Sequence, residues 1–482
     1  MIKSQYYLCA HAHNQKNPRY AMKRSINIYV IKTNKTLNNV KKYDKISFMK
    51  PNIIFYFADQ QRWDTITPSL TPSLTTLAEE GVKFENCFTC QPVCGPARAC
   101  LQSGTYATEN GSYWNGIALK KNIKPLAEYF NESGYDTAYI GKWHLASDRY
   151  PGIGIHCESS SIPKDRQGQY AYVRAADVLE FTSHGYDGYV FDENGNRIDF
   201  TGYRADCIND FATEYIDNHS SDKPFFMFIS QLEPHHQNDR HCYEGYKPTV
   251  EDYKDYPIPN DLTFLNGDYK KSYPDYISAI NRLDYNVGRL VEKLKKKGIY
   301  DNTIIIYTSD HGSHFKTRNL EYKRSPHDSC THIPLIIKGG PFSGGKKVED
   351  VVSLIDLPPT LLALAGIEIP KHYSGLSLTE ESKRSHAFIQ ISESQVGRAI
   401  RTKDYLYSVR AVGIGYIKAK AKIYFEDYLY DVNDDPIQKN NLIKSKEHKT
   451  VRQELKKRII NQMVEIGEKK PIILPALFAR KK

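Results

Sequence analysis

The chain has 482 residues, of which 40% are hydrophobic and 25% charged, and its formal net charge is +10. This composition indicates a globular protein with a substantial core, and it excludes a membrane-spanning protein because no run is long and apolar enough to cross a bilayer. The basic charge fits an anionic partner, although a lysine-favouring codon bias explains it as well. We expect neither a nucleic acid nor a membrane as a partner.

The nine cysteines do not form the pattern of a disulfide framework. Cys87, Cys90 and Cys94 are clustered, but no second pair nearby would complete a zinc site. A reducing compartment is therefore favoured.

Residues 1–48 are rich in Lys, Asn and Tyr and contain no apolar segment of the signal-peptide type. We expect either a disordered tail here or a translation start at Met49. If the start at Met1 is correct, the expected location is the cytoplasm, and the alternative is the periplasm.

From residue 49 onward, apolar runs alternate with amphipathic segments. The pattern predicts strands at 52–57, 135–140, 224–230 and 303–307, helices at 74–81, 124–134 and 276–297, and an insertion of loops over 150–200. Alternation of this kind predicts an α/β fold with a large, mostly parallel sheet flanked by helices.

The pattern changes near residue 385. Residues 387–391 and 405–410 are predicted antiparallel strands, 424–441 a turn-rich stretch and 444–467 a final helix. We therefore expect a catalytic domain over 49–380 and a small α+β subdomain over 381–482.

Polar groups follow four of the predicted strands directly. Because ligands of α/β sheets bind beyond the carboxyl ends of the strands, these groups are expected to converge on one rim. The groups are Asp59 and Gln60, Lys142 and His144, His235, and Asp310 and His311.

Cys94 begins the sequence CGPAR, which ends at Arg98. Pro96 suits the first turn of a helix, so Cys94 is expected at a helix N-terminus, where free N–H groups favour an anion. Arg98 lies one turn on and can reach the same spot. The segment predicts a nucleophile in a pocket for an anion, with a buried structural cysteine as the alternative.

The doublets Asp59–Gln60 and Asp310–His311 offer two carboxylates, an amide oxygen and an imidazole. Oxygen ligands favour Ca²⁺ or Mg²⁺, and the imidazole also suits Mn²⁺ or Zn²⁺. One doublet alone would indicate a turn or a cap. Together the two doublets predict a metal site.

These motifs, in this order, resemble the type I sulfatases of the alkaline phosphatase superfamily, in particular bacterial polysaccharide sulfatases. The signature C-x-P-S/A-R, L-x-T-G is matched at residues 94–104, with Ser103 in place of Thr. The resemblance implies an alkaline-phosphatase-like fold and oxidation of Cys94 to formylglycine. A formylglycine-generating enzyme or an anaerobic sulfatase maturase would be the partner in that oxidation.

The resemblance also implies the roles of the other residues. Lys142 and Lys323 would hold the sulfate, with Arg98 beside the nucleophile. His144 would contact the aldehyde hydrate, and His235 would protonate the leaving oxygen. One Ca²⁺, or Mg²⁺ or Mn²⁺, would be held by Asp59, Gln60, Cys94, Asp310 and His311.

Gln60 and His311 stand where the family more often has Asp and Asn. Both variants resemble the branch that includes phosphonate monoester hydrolases. A phosphonate or phosphate ester hydrolase is therefore the alternative enzyme. A catalytically silent glycan-binding homologue, in which Cys94 stays a thiol, is the third interpretation.

The expected substrate is a sulfated poly- or oligosaccharide such as ulvan or a glycosaminoglycan. Arg398 and Arg401 are candidate ligands for the carboxylates of an acidic glycan, because guanidinium groups match carboxylate geometry. Surface or interdomain ion pairs are the alternative use of these two arginines.

Overall fold

The computed structural model describes residues 50–148, 154–220, 222–380, 384–413 and 417–480. The expectation for residues 1–48 lies outside the described residues. The strands are β1 Asn52–Ala58, β2 Val82–Phe88, β3 Asp136–Lys142, β4 Tyr172–Ala176, β5 Ser183–His184, β6 Asp187–Asp192, β7 Arg197–Thr201, β8 Phe225–Ser230, β9 Thr303–Ser309, β10 His332–Ile333, β11 Leu335–Lys338, β12 Lys346–Ser353, β13 Ala387–Ile391, β14 Gly397–Arg401, β15 Tyr405–Arg410, β16 Ile423–Asp431 and β17 Ile472–Leu474.

The helices range from single turns to one of 28 residues. They are α1 Pro72–Glu80, α2 Cys94–Ser103, α3 Ala107–Asn110, α4 Leu126–Glu132, α5 Leu179–Thr182, α6 Arg204–Asn218, α7 Lys247–Val250, α8 Asn260–Thr263, α9 Tyr269–Lys296, α10 Asp328–Thr331, α11 Leu357–Leu364 and α12 Lys449–Glu465.

A 12-stranded sheet forms the centre of the molecule, in the order β10-β2-β11-β9-β1-β8-β3-β4-β6-β5, with β12 beside β2 and β7 beside β6. Strands β9, β1, β8, β3 and β4 run parallel to one another. All seven residues of β1 are buried, as expected for a strand covered on both faces. The predicted large, mixed and mostly parallel sheet is confirmed.

Helices cover both faces of this sheet. On one face α9 packs against α1 and α6, and a cluster that includes Ile54, Ile229 and Leu283 fills the space beneath them. On the other face α2, α4 and α11 pack together over Phe55 and Phe228. The α2 helix, which carries Cys94, is buried along its whole length.

A second sheet of five strands, β13-β14-β15-β16-β17, lies in the C-terminal region. The described residues from 50 to 480 belong to one compact unit. The proposed division at residue 380 stays a prediction. In the described part of the chain, no helix has the length and apolar character needed to cross a membrane.

Two predictions about secondary structure were wrong. Residues 150–200 were expected to be loops but contain β4 to β7, and the stretch 424–441 contains most of β16. The hairpin of β6 and β7 is half exposed and rich in Asp and Gly. Ile198 and Phe200 alternate with exposed polar residues in β7, but β6 shows no such alternation, and cross-strand pairing holds the two strands together. Strand β14, between the two predicted antiparallel strands, was not predicted.

Helix α9 begins at Tyr269, seven residues before its predicted start at Tyr276. Pro274 lies inside it. As the sixth residue of the helix, Pro274 lies beyond the first turn and removes one backbone hydrogen bond, but the buried face that includes Tyr273 and Tyr276 continues through it.

Candidate active site

The carboxyl ends of β1, β3, β8 and β9 meet at one edge of the sheet, and the polar residues that follow them converge there. Asp59 follows β1, Lys142 ends β3 and Asp310 follows β9. All three are fully buried. His235, beyond β8, lines the same cavity as Lys142, so the predicted convergence is present in the structure.

Cys94 is the first residue of α2 and is fully buried, and its Sγ points at this rim. The sulfur lies 2.7 Å from Lys323 Nζ, 3.2 Å from His311 Nε2 and 3.3 Å from Asp59 Oδ1. Burial raises the pKa of the thiol, but the neighbouring cations prevail and lower it to about 6. The side chain at position 94 therefore sits where negative charge is stabilised.

Asp59 connects the cations around Cys94. Its Oδ2 accepts hydrogen bonds from Lys142 Nζ at 2.8 Å and from Arg98 Nη2 at 3.0 Å. Arg98 also donates to Ser230 Oγ at 2.6 Å. Burial raises the pKa of Asp59, but the surrounding cations, Lys142 first, hold it well below its usual range. Asp59 is thus a carboxylate, and it fixes Lys142 and Arg98 at the rim.

Four side chains at this rim form a potential metal site. The ligand atoms of Asp59, Cys94, Asp310 and His311 all lie within 4.8 Å of one another. Asp310 Oδ1 accepts two backbone N–H bonds, whereas its buried Oδ2 has no hydrogen-bond partner among the described residues. His311 Nδ1 lies 2.9 Å from the Gly312 carbonyl oxygen, so it donates there and leaves the lone pair of Nε2 facing the cluster.

The donor set therefore fits a divalent cation. Burial and the charge of Asp59 raise the pKa of Asp310 to about 7, so the two carboxylates repel each other without a cation between them. Gln60 is also suited to bind this cation. Its amide nitrogen donates to Tyr243 OH at 2.8 Å and Ser313 Oγ at 3.1 Å, which leaves the amide oxygen as its potential ligand atom.

Lys323 contacts both the Cys94 sulfur and His235. Lys323 Nζ lies 3.0 Å from His235 Nε2. His235 Nδ1 lies 3.1 Å from Glu180 Oε2. Burial, reinforced by Lys323, lowers the pKa of His235 well below its usual range. In this arrangement the imidazole is neutral and in contact with a cation.

His144 lines the same cavity as Cys94 and has a positive φ of 61°. Asp177 holds its loop in place by accepting the backbone N–H groups of Leu145, Ala146 and Ser147 at 2.9–3.0 Å. Burial, with Lys142 nearby, lowers the pKa of His144 to about 3.

These residues open into a cavity of about 410 Å³, and a second cavity of about 400 Å³ adjoins it. Five residues line both cavities: Asn115, His144, Glu180, Asn238 and Arg324. A larger groove between α1, α6 and α9 contains none of the predicted site residues.

Arg398 and Arg401 do not join the site, and the structure places them in buried ion pairs. Arg398 Nη2 lies 2.7 Å from Glu468 Oε1, and Arg401 Nη2 lies 2.9 Å from Asp328 Oδ2. Both guanidinium groups are almost fully buried. The proposed contact with glycan carboxylates is therefore corrected in favour of the alternative, ion pairs that tie β14 to the rest of the unit.

Sequence reasoning missed Glu180, Arg324 and Asp177. Glu180 belongs to the single-turn helix α5, inside the region predicted as loops. Nothing in its local sequence marks it, and only the tertiary fold brings it beside His235.

Comparison with known proteins identifies the family. Residues 51–367 match the family described as "Sulfatase", and residues 319–465 match "N-sulphoglucosamine sulphohydrolase, C-terminal". The chain is 30% identical over 449 residues to the uncharacterized sulfatase YidJ of Escherichia coli K12, with 87% of this chain and 88% of the relative covered. It is 29% identical over 452 residues to an ulvan-active sulfatase of Formosa agariphila, with 87% and 82% covered.

The fold is also that of a solved structure of a protein in complex with its substrate D-glucosamine-2-N,6-O-disulfate. The TM-score is 0.74 at 23% identity, with 88% of this chain and 99% of the other covered. The chain belongs to the sulfatase family of the alkaline-phosphatase-like superfamily and is a sulfuric ester hydrolase.

Proposed function

We propose that this enzyme hydrolyses sulfate esters on a carbohydrate and that Cys94, oxidised to formylglycine, provides the nucleophile. One observation carries the proposal: a buried Cys94 at the start of α2, within 3.3 Å of a lysine, a histidine and an aspartate, at the base of a cavity. A structural cysteine would be surrounded by apolar groups, as Cys87 and Cys100 are in the core cluster.

The aldehyde would be made by a formylglycine-generating enzyme or an anaerobic sulfatase maturase. When hydrated, it supplies two hydroxyl groups on one carbon, one to bond to sulfur and a second whose deprotonation releases sulfate. A thiol or a serine hydroxyl would lack that second group. This need explains why the chain would keep an oxidisable residue at position 94.

The cations at the rim bind the sulfate oxygens. Lys323 contacts Cys94 Sγ directly, and Lys142 is held near position 94 through Asp59. Charge grows on the sulfate and leaving oxygens as the ester bond breaks, and pre-placed cations in a buried site stabilise it strongly. Arg98 holds Asp59 and Ser230, which keeps this cluster rigid.

His235 Nε2 protonates the leaving oxygen. The atom lies beside Lys323 Nζ, so it can reach a group attached to a sulfate bound there. Because His235 is neutral in the free enzyme, its Nε2 must first take up a proton, either from solvent or from the hydroxyl group that bonds to sulfur, and then transfers it to the leaving oxygen. His144 lines the same cavity, which supports the proposal that it accepts the proton of the second hydroxyl.

Asp59, Gln60, Asp310 and His311, with residue 94, would hold the metal, and we propose Ca²⁺, with Mg²⁺ or Mn²⁺ as alternatives. When bound there, a divalent cation would supply Lewis-acid stabilisation of the negative charge that develops during the reaction. Two observations support this assignment: Asp310 Oδ2 has no hydrogen-bond partner among the described residues, and the lone pair of His311 Nε2 faces Cys94 Sγ, 3.2 Å away.

Two relatives support a carbohydrate as the substrate class. One is the ulvan-active sulfatase of Formosa agariphila, and the other is the structural neighbour solved with a glucosamine disulfate. A cavity that continues from the nucleophile into a second space of similar size leaves room for a sugar.

The test is the rate of the matured enzyme on an aryl sulfate and on the matching aryl phosphonate, with Cys94→Ala as the blank. We expect the sulfate to be preferred by at least about tenfold in kcat/KM. Preference for the phosphonate would favour the alternative hydrolase, to which Gln60 and His311 point. Equal background rates for wild type and Cys94→Ala would favour the silent glycan-binding homologue.

A further inference from the structure

The second cavity indicates which chemical groups the substrate can carry next to its sulfate ester, and the nucleophile alone does not. It opens off the catalytic cavity past His144 and Glu180, which line both. In the function proposed above, Nε2 of His235 faces the leaving oxygen. The other ring nitrogen, Nδ1, lies 3.1 Å from Glu180 Oε2. A substrate that extends beyond its leaving oxygen in this direction therefore enters the second cavity.

The walls of this second cavity are acidic. Among the described residues that line it, four carry carboxylates and a single one carries a permanent positive charge. The carboxylates are Glu158, Asp177, Glu180 and Glu393, and the cation is Arg324. His144 adds no charge at neutral pH, because burial and Lys142 lower its pKa to about 3.

The one cation is already neutralised. Arg324 Nη1 lies 2.8 Å from Glu321 Oε2, and Arg324 Nη2 lies 2.5 Å from Glu393 Oε2. Its guanidinium is held between these two carboxylates, so an anionic ligand would have to displace one of them. The arginines expected from the sequence to meet carboxylates, Arg398 and Arg401, are used in ion pairs of their own.

The carboxylates differ in what remains for a ligand. Asp177 is saturated by the N–H groups of residues 145–147. Glu180 Oε1 accepts from Asn238 at 3.0 Å and its Oε2 lies 3.1 Å from His235 Nδ1, so this carboxylate contributes negative charge to the cavity. Glu158 is partly exposed. Glu158 is thus the carboxylate most available to accept a hydrogen bond from a ligand.

Aromatic side chains complete the cavity. Phe181 and Trp114 line it, and 43% of Phe181 is exposed although it is a large apolar residue. A ring face at the edge of a polar cavity suits the apolar C–H face of a sugar, while the acceptors around it take the hydroxyl hydrogens.

We propose that the second cavity binds the part of the sugar next to the scissile sulfate and selects hydroxyl or ammonium groups there over a carboxylate or a second sulfate. The inference rests on the sulfatase function proposed above and narrows its substrate class to singly sulfated neutral or amino sugars. A second anion would lie among like charges in a poorly solvated space, which costs binding free energy in substrate and transition state alike.

The test compares pairs of sugars that share one sulfate ester and differ in one neighbouring group. The first pair is O-sulfated glucosamine with a free amine and the same sugar with an N-sulfated amine. The second pair is O-sulfated glucose and O-sulfated glucuronic acid. Within each pair the sulfate ester is at the same ring position, and the comparison is repeated for each position that both sugars can carry. We expect kcat/KM to favour the amine and the neutral sugar by at least about tenfold. Equal rates, or faster hydrolysis of the doubly anionic member, would overturn the inference.

Variants separate the cavity from general effects. Glu393→Gln should free the guanidinium of Arg324 for an anion and reduce the preference severalfold, and Glu158→Gln should reduce it without breaking a buried pair. Glu349→Gln, an exposed residue paired with Lys403, is the matched control and should leave it unchanged. An unchanged preference in both cavity variants would contradict the assignment.

The hydrolysis rate of an aryl sulfate distinguishes a failure of the cavity assignment from a failure of the sulfatase function. If it is hydrolysed while the doubly anionic sugars are preferred, the sulfatase function stands and the cavity assignment fails. If neither aryl nor sugar sulfates react, the function fails. The affinities of the same sugar pairs for Cys94→Ala, measured by calorimetry, then still show which sugars the cavity prefers. Tighter binding of the doubly anionic sugars would reject the cavity assignment.

Discussion

Glu180 Oε2 and His235 Nδ1 lie 3.1 Å apart, and both side chains are almost fully buried. A carboxylate in this position fixes the tautomer with the proton on Nδ1, so Nε2 faces Lys323 and the leaving group. This pair joins a residue from the predicted loop region to one that follows a core strand.

The Glu180→Gln variant should lower kcat by about tenfold to a hundredfold for poor leaving groups and much less for good ones, with KM little changed. The reason is that protonation matters most when the leaving oxygen is basic. The measurement is a series of aryl sulfates of graded phenol pKa. An equal loss across the series would show that Glu180 acts only on binding or folding.

Replacing Lys323 tests the sulfate-binding site. Lys323→Met should lower kcat/KM by about a hundredfold to a thousandfold, because a cation aimed at the reacting oxygens is lost from a buried site. Lys403→Met, which removes an exposed lysine paired with Glu349, is the control. If the two variants keep similar activity, Lys323 has no part in the chemistry.

Metal removal tests the cluster of Asp59, Asp310 and His311. Dialysis against a chelator should abolish activity and lower the melting temperature, and added Ca²⁺ should restore both. At a hundredfold excess over Kd, binding stabilises the folded state by about 2.7 kcal/mol. Asp310→Asn should lose most of this thermal shift. A shift of the same size in that variant would place the ion elsewhere.

The Arg401–Asp328 pair tests the corrected role of the C-terminal arginines. Arg401→Leu leaves a buried carboxylate without its partner and should cost about 3–5 kcal/mol of unfolding free energy, measured by denaturant titration. KM for sulfated sugars should stay unchanged in the remaining folded protein. A raised KM with normal stability would return Arg401 to the substrate site.

The loss of folding stability in acid should depend in part on His332. This side chain stacks on Trp63, and its Nε2 lies 2.8 Å from the Glu85 carbonyl oxygen. Burial and the nearby Arg401 lower the pKa of His332 to about 4, although the carboxylate of Asp328 acts in the opposite direction. The unfolded chain, with an ordinary histidine pKa of about 6.5, binds more protons between these values, so stability is full above that range and falls as the pH drops through it.

His332→Gln should therefore flatten the pH dependence of unfolding free energy between about pH 6.5 and pH 4, by up to about 1.4 kcal/mol per pH unit. Urea titrations at several pH values measure the slope. Parallel curves for wild type and variant would mean that His332 is protonated without cost in the folded state.

Local sequence sufficed for the elements that position the nucleophile. The buried runs of β1 and β9 and the start of α2 at Cys94 follow from apolar run length and from proline in the first turn, which are properties of adjacent residues. The rim residues followed from strand direction, because parallel strands place their carboxyl ends at one edge.

What the sequence did not reveal depends on tertiary pairing. The β6–β7 hairpin is held by cross-strand hydrogen bonds, and Glu180 meets His235 only because the tertiary fold brings α5 beside the residues that follow β8. Arg398 and Arg401 show the same limit, since a guanidinium group suits a substrate carboxylate and a buried Glu468 or Asp328 equally well. Spacing along the chain does not distinguish those partners.

The most direct test of the central proposal is the mass of the tryptic peptide Phe84–Arg98, from protein made in its own host and alkylated before digestion. The peptide contains Cys87, Cys90 and Cys94. We predict that residue 94 carries an aldehyde or its hydrate, so that Cys87 and Cys90 are alkylated and position 94 is not. A peptide alkylated at all three positions would show that Cys94 stays a thiol and would contradict the formylglycine mechanism.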